Sequence, residues 1–511
     1  MNSGSQAAPF RQIRKAISVE IPGDTVLVAD GSYLGFDVDR MVGTPSAVFT
    51  IRAQGSGAVV TATTDRSDNR DTIHVLFSSY VVVDGLRSFN ANRAAVRIDQ
   101  ADHVTVRNGV FGNNATWGIF TDFSDDLLLE NNECYASGTQ HGIYVSNSGD
   151  RPVVRGNRVH DNAGCGIQLN ADLSQGGDGL ITGALIENNI AWNNGTAGGS
   201  AINLDGVQSS IVRNNLLYNN HASGIACFQI DGAAGPSGMQ ILNNTVDMAS
   251  NGRWALLFKS STGVNTVRNN ILYNRNTARG GIVFGDSNDV ANTDSDYNIL
   301  DAVSPDDGGT RVTLAAWQAA GHETHSLSAT LVSLFVNPGV DYHLLPTSPA
   351  VDHGTALANV PFDLEGHSRP AGAGFDIGCY EYVAPTPTSL YTVTPCRIVD
   401  TRNPNGPYGG PALSAGADRT FVVANQCGIS ATAKAVVLNS AVTQPTTGPG
   451  FLTLYPAGLP VPLASTINYN AGQTRANNAI VPLGAAGDVT VHCGQGSGTA
   501  HVVIDVNGYF Q

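Results

Sequence analysis

Residues 127–170 read LLLENNECYASGTQHGIYVSNSGDRPVVRGNRVHDNAGCGIQLN, and the second half of that stretch repeats the pattern of the first. Each half carries a short apolar-x-apolar strand, a Glu or Arg, an Asn-containing turn, a second short strand and a third that opens on Gly-Ile. The pattern recurs on both sides, in HVTVRNGVFGNN before and in ALIENNIAWNNG, SIVRNNLLYNNH, MQILNNTVDMAS and NTVRNNILYNRN after. Between the equivalent positions Arg107, Glu130, Arg155, Glu187, Arg213, Leu242 and Arg268 the steps are 23, 25, 32, 26, 29 and 26 residues. A period in the twenties with about three short strands per unit predicts a solenoid whose coils lie about 4.8 Å apart and bury their inward residues against one another. Leucine-rich repeats share the period but need an LxxLxLxxN frame that is absent. Asn131, Asn132, Asn157, Asn189, Asn215, Asn244 and Asn270 are expected to stack as a structural ladder, because Asn tolerates the left-handed turn and bonds nearby backbone. The alternating Arg and Glu column reads as a surface ladder of opposite charges.

Composition agrees with an all-β chain that buries a core. Of 511 residues 42% are hydrophobic, without a long apolar run, which excludes disordered and membrane-spanning classes. Gly at 58 residues and charged residues at only 14% fit many short strands joined by tight turns. A net charge of −15 without a basic stripe disfavours nucleic acid and anionic membrane as partners. A polyanionic ligand would need a local cation or a divalent metal, whereas a neutral one would not. None of the seven cysteines forms a CxxC pair. Cys134, Cys165 and Cys227 fall at apolar repeat positions, while two of Cys396, Cys427 and Cys493 could form one disulfide. The opening MNSGSQAAPF has no basic and apolar leader regions, so the chain is read as one trimmed of its leader.

The ends differ from the repeats. In PFRQIRKAI the spacing of Phe10, Ile13 and Ile17 predicts a helix covering the open first coil, and PGDTVLVADGSY predicts a strand after it. Residues 1–383 are expected to form the solenoid domain, with the clearest coils at about 75–300 and a C-terminal cap at about 325–382. APTPTS, 384–389, reads as a Pro-containing linker. In 390–511 the segments TFVVAN, AKAVVLNSAV, GFLTLYP, STINYN, NNAIVPLG, DVTVHCG and HVVIDVNGYF predict a small β-sandwich.

PFRQIRKAI with PGDTVLVADGSY, the GIYVSNSGDRPVVRGNRVHDNAGCGIQL coils and SPAVDHG…DLEGHSRPAGAGFDIGCYEY resemble secreted bacterial right-handed parallel β-helix proteins over about residues 9–382. The resemblance implies an extracellular chain similar in architecture to polysaccharide lyases, pectinase-type hydrolases, mannuronan epimerases and phage depolymerases. It leaves the reaction open. The C-terminal segment is similar to accessory domains of secreted bacterial proteins carrying PCRIVDTR and VIDVNGYF, which implies attachment to a cell-surface glycan, a spacer or a stability cap. A monomer is expected.

Alignment of the third strands WGIFTD, HGIYVS, CGIQLN, SAINLD, SGIACF, WALLFK and GGIVFG puts Ile119, Ile143, Ile167, Ile202, Ile225, Leu256 and Ile282 inward. One outward column is then Phe120, Tyr144, Gln168, Asn203, Ala226 and Leu257, and the next is Asp122, Ser146, Asn170, Asp205, Phe228 and Lys259. Amides, carboxylates, aromatics and one lysine on a single face read as a glycan groove. Trp117, His141 and Trp254 lie at the turns before it, His221 at another such turn, and Asp172 and Asp231 in the long loops ADLSQGGDGLITG and DGAAGPSG that could wall it. Three readings follow. A polysaccharide lyase would use Lys259 with His141 or Tyr144 for proton transfer, and Gln168, Asn170 and Asn203 to bind carboxylate or hydroxyls. FKSSTGVNTVRNN resembles the lysine-bearing coil of the alginate lyase and chondroitinase B family, which implies Lys259 as base and a Ca2+ cofactor. The glutamates and arginine of that family are not matched here. A glycoside hydrolase would pair two of Asp172, Asp205 and Asp231. A non-catalytic glycan-binding protein would use the same face without turnover. Trp117, Asp122, Gln168, Asn170, Asn203, His221, Asp231 and Trp254 are the expected substrate contacts, and Lys259, His141, Tyr144 and Asp205 the expected catalytic groups.

Overall fold

The structure, a computed structural model, describes residues 4–61, 70–307, 309–384 and 388–511. It divides into two units, Met1–Ala384 and Pro385–Gln511. The central residues of the expected linker, 385–387, lie outside the described residues.

The first unit is a right-handed parallel β-helix in which each coil gives a strand to each of three sheets. The first sheet has 11 strands, from Thr25–Val28 to Thr293–Asp296, and the second has 10, from Gly31–Tyr33 to Ile271–Asn274. The third has 12, of which 11 run from Phe36–Asp39 to Ala302–Ser304 and the last is the antiparallel Val312–Thr313. Strand pairing follows the repeat alignment residue for residue. Arg107 pairs with Glu130, then Arg155, Glu187, Arg213, Leu242 and Arg268 in succession. Ile119, Ile143, Ile167, Ile202, Ile225, Leu256 and Ile282 form one vertical stack, wholly buried.

The Asn doublets split into two roles. The first member takes the left-handed turn, as in Asn131 (φ 54°), Asn188 (56°), Asn214 (52°), Asn243 (51°) and Asn269 (57°). The second points inward and stacks in the order Asn132, Asn157, Asn189, Asn215, Asn244, Asn270 and Asn298. From Asn157 onward each Oδ1 accepts the backbone and side-chain N–H of the Asn one coil earlier, and that of Asn132 accepts the Gly109 N–H. Asn131 therefore belongs to the turn and not to the ladder. A second ladder, Asn162, Asn194 and Asn220, lies at the next corner. Outside, the charge column pairs Arg155 with Glu130 at 2.9 Å and Arg213 with Glu187 at 2.6 Å. On the second sheet Tyr135, His160, Trp192 and Tyr218 stack with centroids 5.2, 4.1 and 5.8 Å apart and planes within 8°. Their faces cover one another and only edges look out, which suits packing rather than a sugar platform.

The N-terminal helix spans Ile13–Ile17, shorter than the sequence spacing predicts because Phe10 lies before it; Ile13 joins the core. The far end is closed by the helix Leu314–Ala319, through Leu314 and Trp317. The segment expected as a C-terminal cap lies along the side of the solenoid instead, because Leu216, Ile271 and Ile299 form an apolar cluster that Leu331, Phe335, Ile377 and Cys379 complete. The left-handed turn asparagines hold it there: Asn214 donates to the Phe362 carbonyl (2.7 Å), Asn243 to Asp376 (3.0 Å) and Asn269 to Thr355 (2.8 Å).

In the second unit a five-stranded and a four-stranded antiparallel sheet share a core that includes Val399, Phe421, Val436, Leu452, Val491 and Val502. The sequence reading omits the strand Leu390–Asp400, which pairs along Thr499–Phe510. Cys396 and Cys427 form the disulfide, and Cys134, Cys165, Cys227, Cys379 and Cys493 are buried free thiols.

Candidate functional site

The outward columns of the third sheet are those that the alternation predicts. Phe120, Tyr144, Gln168, Asn203, Ala226 and Leu257 are successive partners, and Ser146, Asn170, Asp205 and Phe228 run beside them. The face changes character along the axis. Ala226, Leu257 and Val283 at the C-terminal end are buried with Phe228 and Trp254 in an apolar cluster, so the polar groove is confined to the earlier coils.

The groove centres on Tyr144. Its ring stacks on Phe120 (5.3 Å between centroids) and meets the edge of His141 (5.2 Å), while Trp117 stacks on Phe120 at 4.1 Å. Burial, with the nearby Asp172, Asp231 and Asp122 carboxylates adding to it, pushes the phenol up to about 12, and the neighbouring Asn170 offsets this in part. Asn170, buried, donates to Asp231 at 3.2 Å, and among the described residues no donor meets its Oδ1 with hydrogen-bond geometry. The buried Trp117 indole N–H also lacks an acceptor among the described residues. The two long loops do meet beside this point: Leu173 N–H donates to the Asp231 carbonyl and Ala233 N–H to Gly179. Asp172 caps the turn Leu173–Gln175 through Ser174, which holds its carboxyl below the ordinary value.

Sequence reasoning missed one residue here. Arg97 pairs with Phe120 in the strand ladder and continues the Tyr144 column one coil further towards the N-terminus. Its guanidinium lies 3.9 Å from the Phe120 centroid and bonds Asp122 at 2.7 Å, with Asp99 at 3.6 Å. The side chain is buried, and among the described residues its Nε and Nη1 meet no acceptor. The next outward residue, His74, sits 3.9 Å from Asp99. The alternation in AAVRID was the available signal, but that strand lacks the Gly-Ile opening.

His141 is a neutral donor. Its Nδ1 accepts the Cys165 N–H at 2.8 Å, which leaves the proton on Nε2, and burial lowers its pKa from 6.5 to about 4. The folded ring refuses a proton that the unfolded ring takes below about 6.5. Stability is therefore lost as pH falls from about 6.5 towards 4, by up to roughly 3 kcal/mol. In urea titrations across that window His141→Gln should flatten the slope of stability against pH; an unchanged slope would contradict the assignment.

Other expected residues are placed elsewhere. Asp205 is buried, and its carboxylate accepts the backbone N–H groups of Ile230 (2.8 Å), Asp231 (3.0 Å) and Gly232 (3.3 Å), so it anchors the turn that carries Asp231. Lys259 forms a half-exposed ion pair with Asp307 at 2.8 Å. Four strand steps, roughly 19 Å at about 4.8 Å each, separate the Tyr144 and Leu257 levels, so Lys259 cannot share one sugar ring with Tyr144 or His141. The strand alignment itself places HGIYVS and WALLFK four coils apart, so this separation is legible in the sequence once coils are counted. Lys259→Met should change stability by less than about 1 kcal/mol and leave turnover within about twofold, measured side by side with the parent. Trp254 lies in the apolar cluster beneath Arg253, and His221 bonds Asn251 at 3.2 Å. Gln168 contacts the Cys165 thiol, and Asn203 accepts from Ser200 at 3.0 Å. Among the described residues no group of three or more His, Cys, Asp or Glu is arranged to hold a metal ion.

Comparison with known proteins supports the architecture. Residues 49–198 match the family model described as a right handed beta helix region. The crystal structure of pectate lyase Pel9A superposes with a TM-score of 0.50 at 17% identity, covering 74% of this chain and 93% of that one. An alginate lyase from Paenibacillus sp. str. FPU-7 gives 0.41 at 21% identity over 55% of this chain and 92% of its own. No curated protein matches in sequence.

Proposed function

We propose that the chain is an extracellular polysaccharide-modifying enzyme that cleaves a uronate-containing glycan by β-elimination at the Tyr144 groove. The observation that carries this reading is the gathering of a high-pKa phenol, a fixed guanidinium and a loop carboxylate on one outward face. Elimination removes the proton α to the uronate carboxylate and expels the 4-linked sugar oxygen, so it needs a base, an acid and a cation for the carboxylate. Tyr144, protonated at any physiological pH, is suited to donate to the leaving oxygen. Asp231 at the rim is the base. A substrate carboxylate that displaced Asp122 from the buried Arg97 guanidinium would meet there the positive charge that a polyanion requires in a chain of net charge −15. The Cys396–Cys427 disulfide supports an oxidising, extracellular setting.

A second reading, glycoside hydrolysis, is favoured by one observation: Asp172 and Asp231 both bear on the Tyr144 hydroxyl, and a backbone bond joins their loops. The purified chain should be incubated with alginate, pectate, glycosaminoglycans and neutral glycans. Growth of the ultraviolet absorbance of an unsaturated uronate is the expected result. Saturated reducing ends alone would establish the hydrolase, and binding without products would overturn both.

A further inference from the structure

The second unit has a surface concavity of about 820 Å3 on its four-stranded sheet, within the size range of small-ligand sites. Its floor is made by an aromatic ring laid over a glycine. Phe451 and Gly494 are direct partners in neighbouring strands, and a Cβ at Gly494 would fall 2.1 Å from the tip of the Phe451 ring. The missing side chain lets the ring lie across the strand, 38% exposed, so that a ring face rather than an edge is available. This contrasts with the stacked rings on the solenoid, whose faces cover each other.

The surroundings are polar. Asn468 pairs directly with Phe451 on the other side. His492, held by Asp418 at 2.7 Å, lies at 6.1 Å from the Phe451 ring, and Gln495 and Gln473 complete the wall. Arg475 also lines the concavity; it is exposed, its Nε leans towards Gln473 at 3.4 Å, and among the described residues no carboxylate pairs with it. In a chain with 42 acidic and 27 basic residues, an arginine left without an acid beside an open aromatic face points to an anionic ligand. A flat apolar ring fits the C–H face of a pyranose, amides fit its hydroxyls, and the guanidinium fits a carboxylate.

We propose that this concavity is a binding site for a carboxylate-bearing saccharide, with the pyranose on Phe451 and its carboxylate on Arg475. The site stands independently of the reaction assigned to the solenoid and would hold the chain on an acidic polysaccharide. Titration of the full chain by calorimetry with a short oligogalacturonate, its methyl ester and a short oligomannuronate tests it. The parent should bind at least one of the acidic oligomers. Phe451→Ala and Arg475→Gln should each weaken that binding at least about tenfold, and added salt should weaken it in the parent. Arg475→Gln changes an exposed side chain and keeps the test valid if Phe451→Ala alters the fold. Binding of both variants like the parent, equal affinity for ester and acid, or no binding of any acidic oligomer would overturn the proposal. A catalytically inactive parent that still binds through Phe451 and Arg475 would leave this site standing and remove only the solenoid reading.

Discussion

Tyr144→Phe is expected to lower turnover of the uronate polymer at least about a hundredfold while changing stability by less than about 1 kcal/mol. The ring is retained, so its stacking on Phe120 and the edge contact with His141 survive. What is lost is one hydroxyl whose proton is held up to about pH 12 by burial and nearby carboxylates. Without it the leaving oxygen departs as an alkoxide or must take a proton from water. Initial rates of unsaturated product, with urea unfolding as the control, check both halves of the expectation. A rate within tenfold of the parent would remove Tyr144 from the chemistry.

Asn215→Ala should destabilise the solenoid by roughly 3 kcal/mol or more. Its Oδ1 accepts the Asn189 backbone and side-chain N–H groups at 3.0 Å each, and its Nδ2 donates to the Ile186 carbonyl at 3.0 Å. Removing the amide leaves these partners buried where water cannot replace it, which is the expensive way to lose a hydrogen bond. Asn131→Gly, at an exposed left-handed turn, should cost no more than about 1 kcal/mol, since glycine adopts φ 54° freely. The four tryptophans, Trp117, Trp192, Trp254 and Trp317, all lie in the first unit, so their fluorescence follows solenoid unfolding. Equal midpoints for the two variants would mean that the ladder contributes nothing special.

The solenoid was legible because burial imposes a strict grammar on it. Every inward position must stack, so Ile143, Ile167 and Ile202 could be aligned from their turns alone, and the register follows that alignment. Outward residues obey no such rule, and there the reading weakens. Asp205 looked like a groove carboxylate because nothing in AINLDG shows that three backbone N–H groups of a later loop converge on it. Lys259 looked close to Tyr144 in kind and was distant in space, since cooperation depends on counting coils. Arg97 escaped because its strand, AAVRID, opens without Gly-Ile, although its alternation of Val96 and Ile98 inward with Arg97 and Asp99 outward obeys the same rule. The path of residues 331–382 depends on Asn214, Asn243 and Asn269 each offering a side chain to a distant carbonyl, a choice with no signature in the local sequence.

The most direct test of the groove assignment is the crystal structure of Tyr144→Phe soaked with an oligomer of whichever uronate polymer the parent cleaves. A sugar ring is expected across the third sheet between Arg97 and Asp231, its carboxylate displacing Asp122 from the Arg97 guanidinium and its glycosidic oxygen facing the vacated hydroxyl position of residue 144. A sugar bound at Lys259 or along the second sheet, with the Tyr144 face bare, would contradict it.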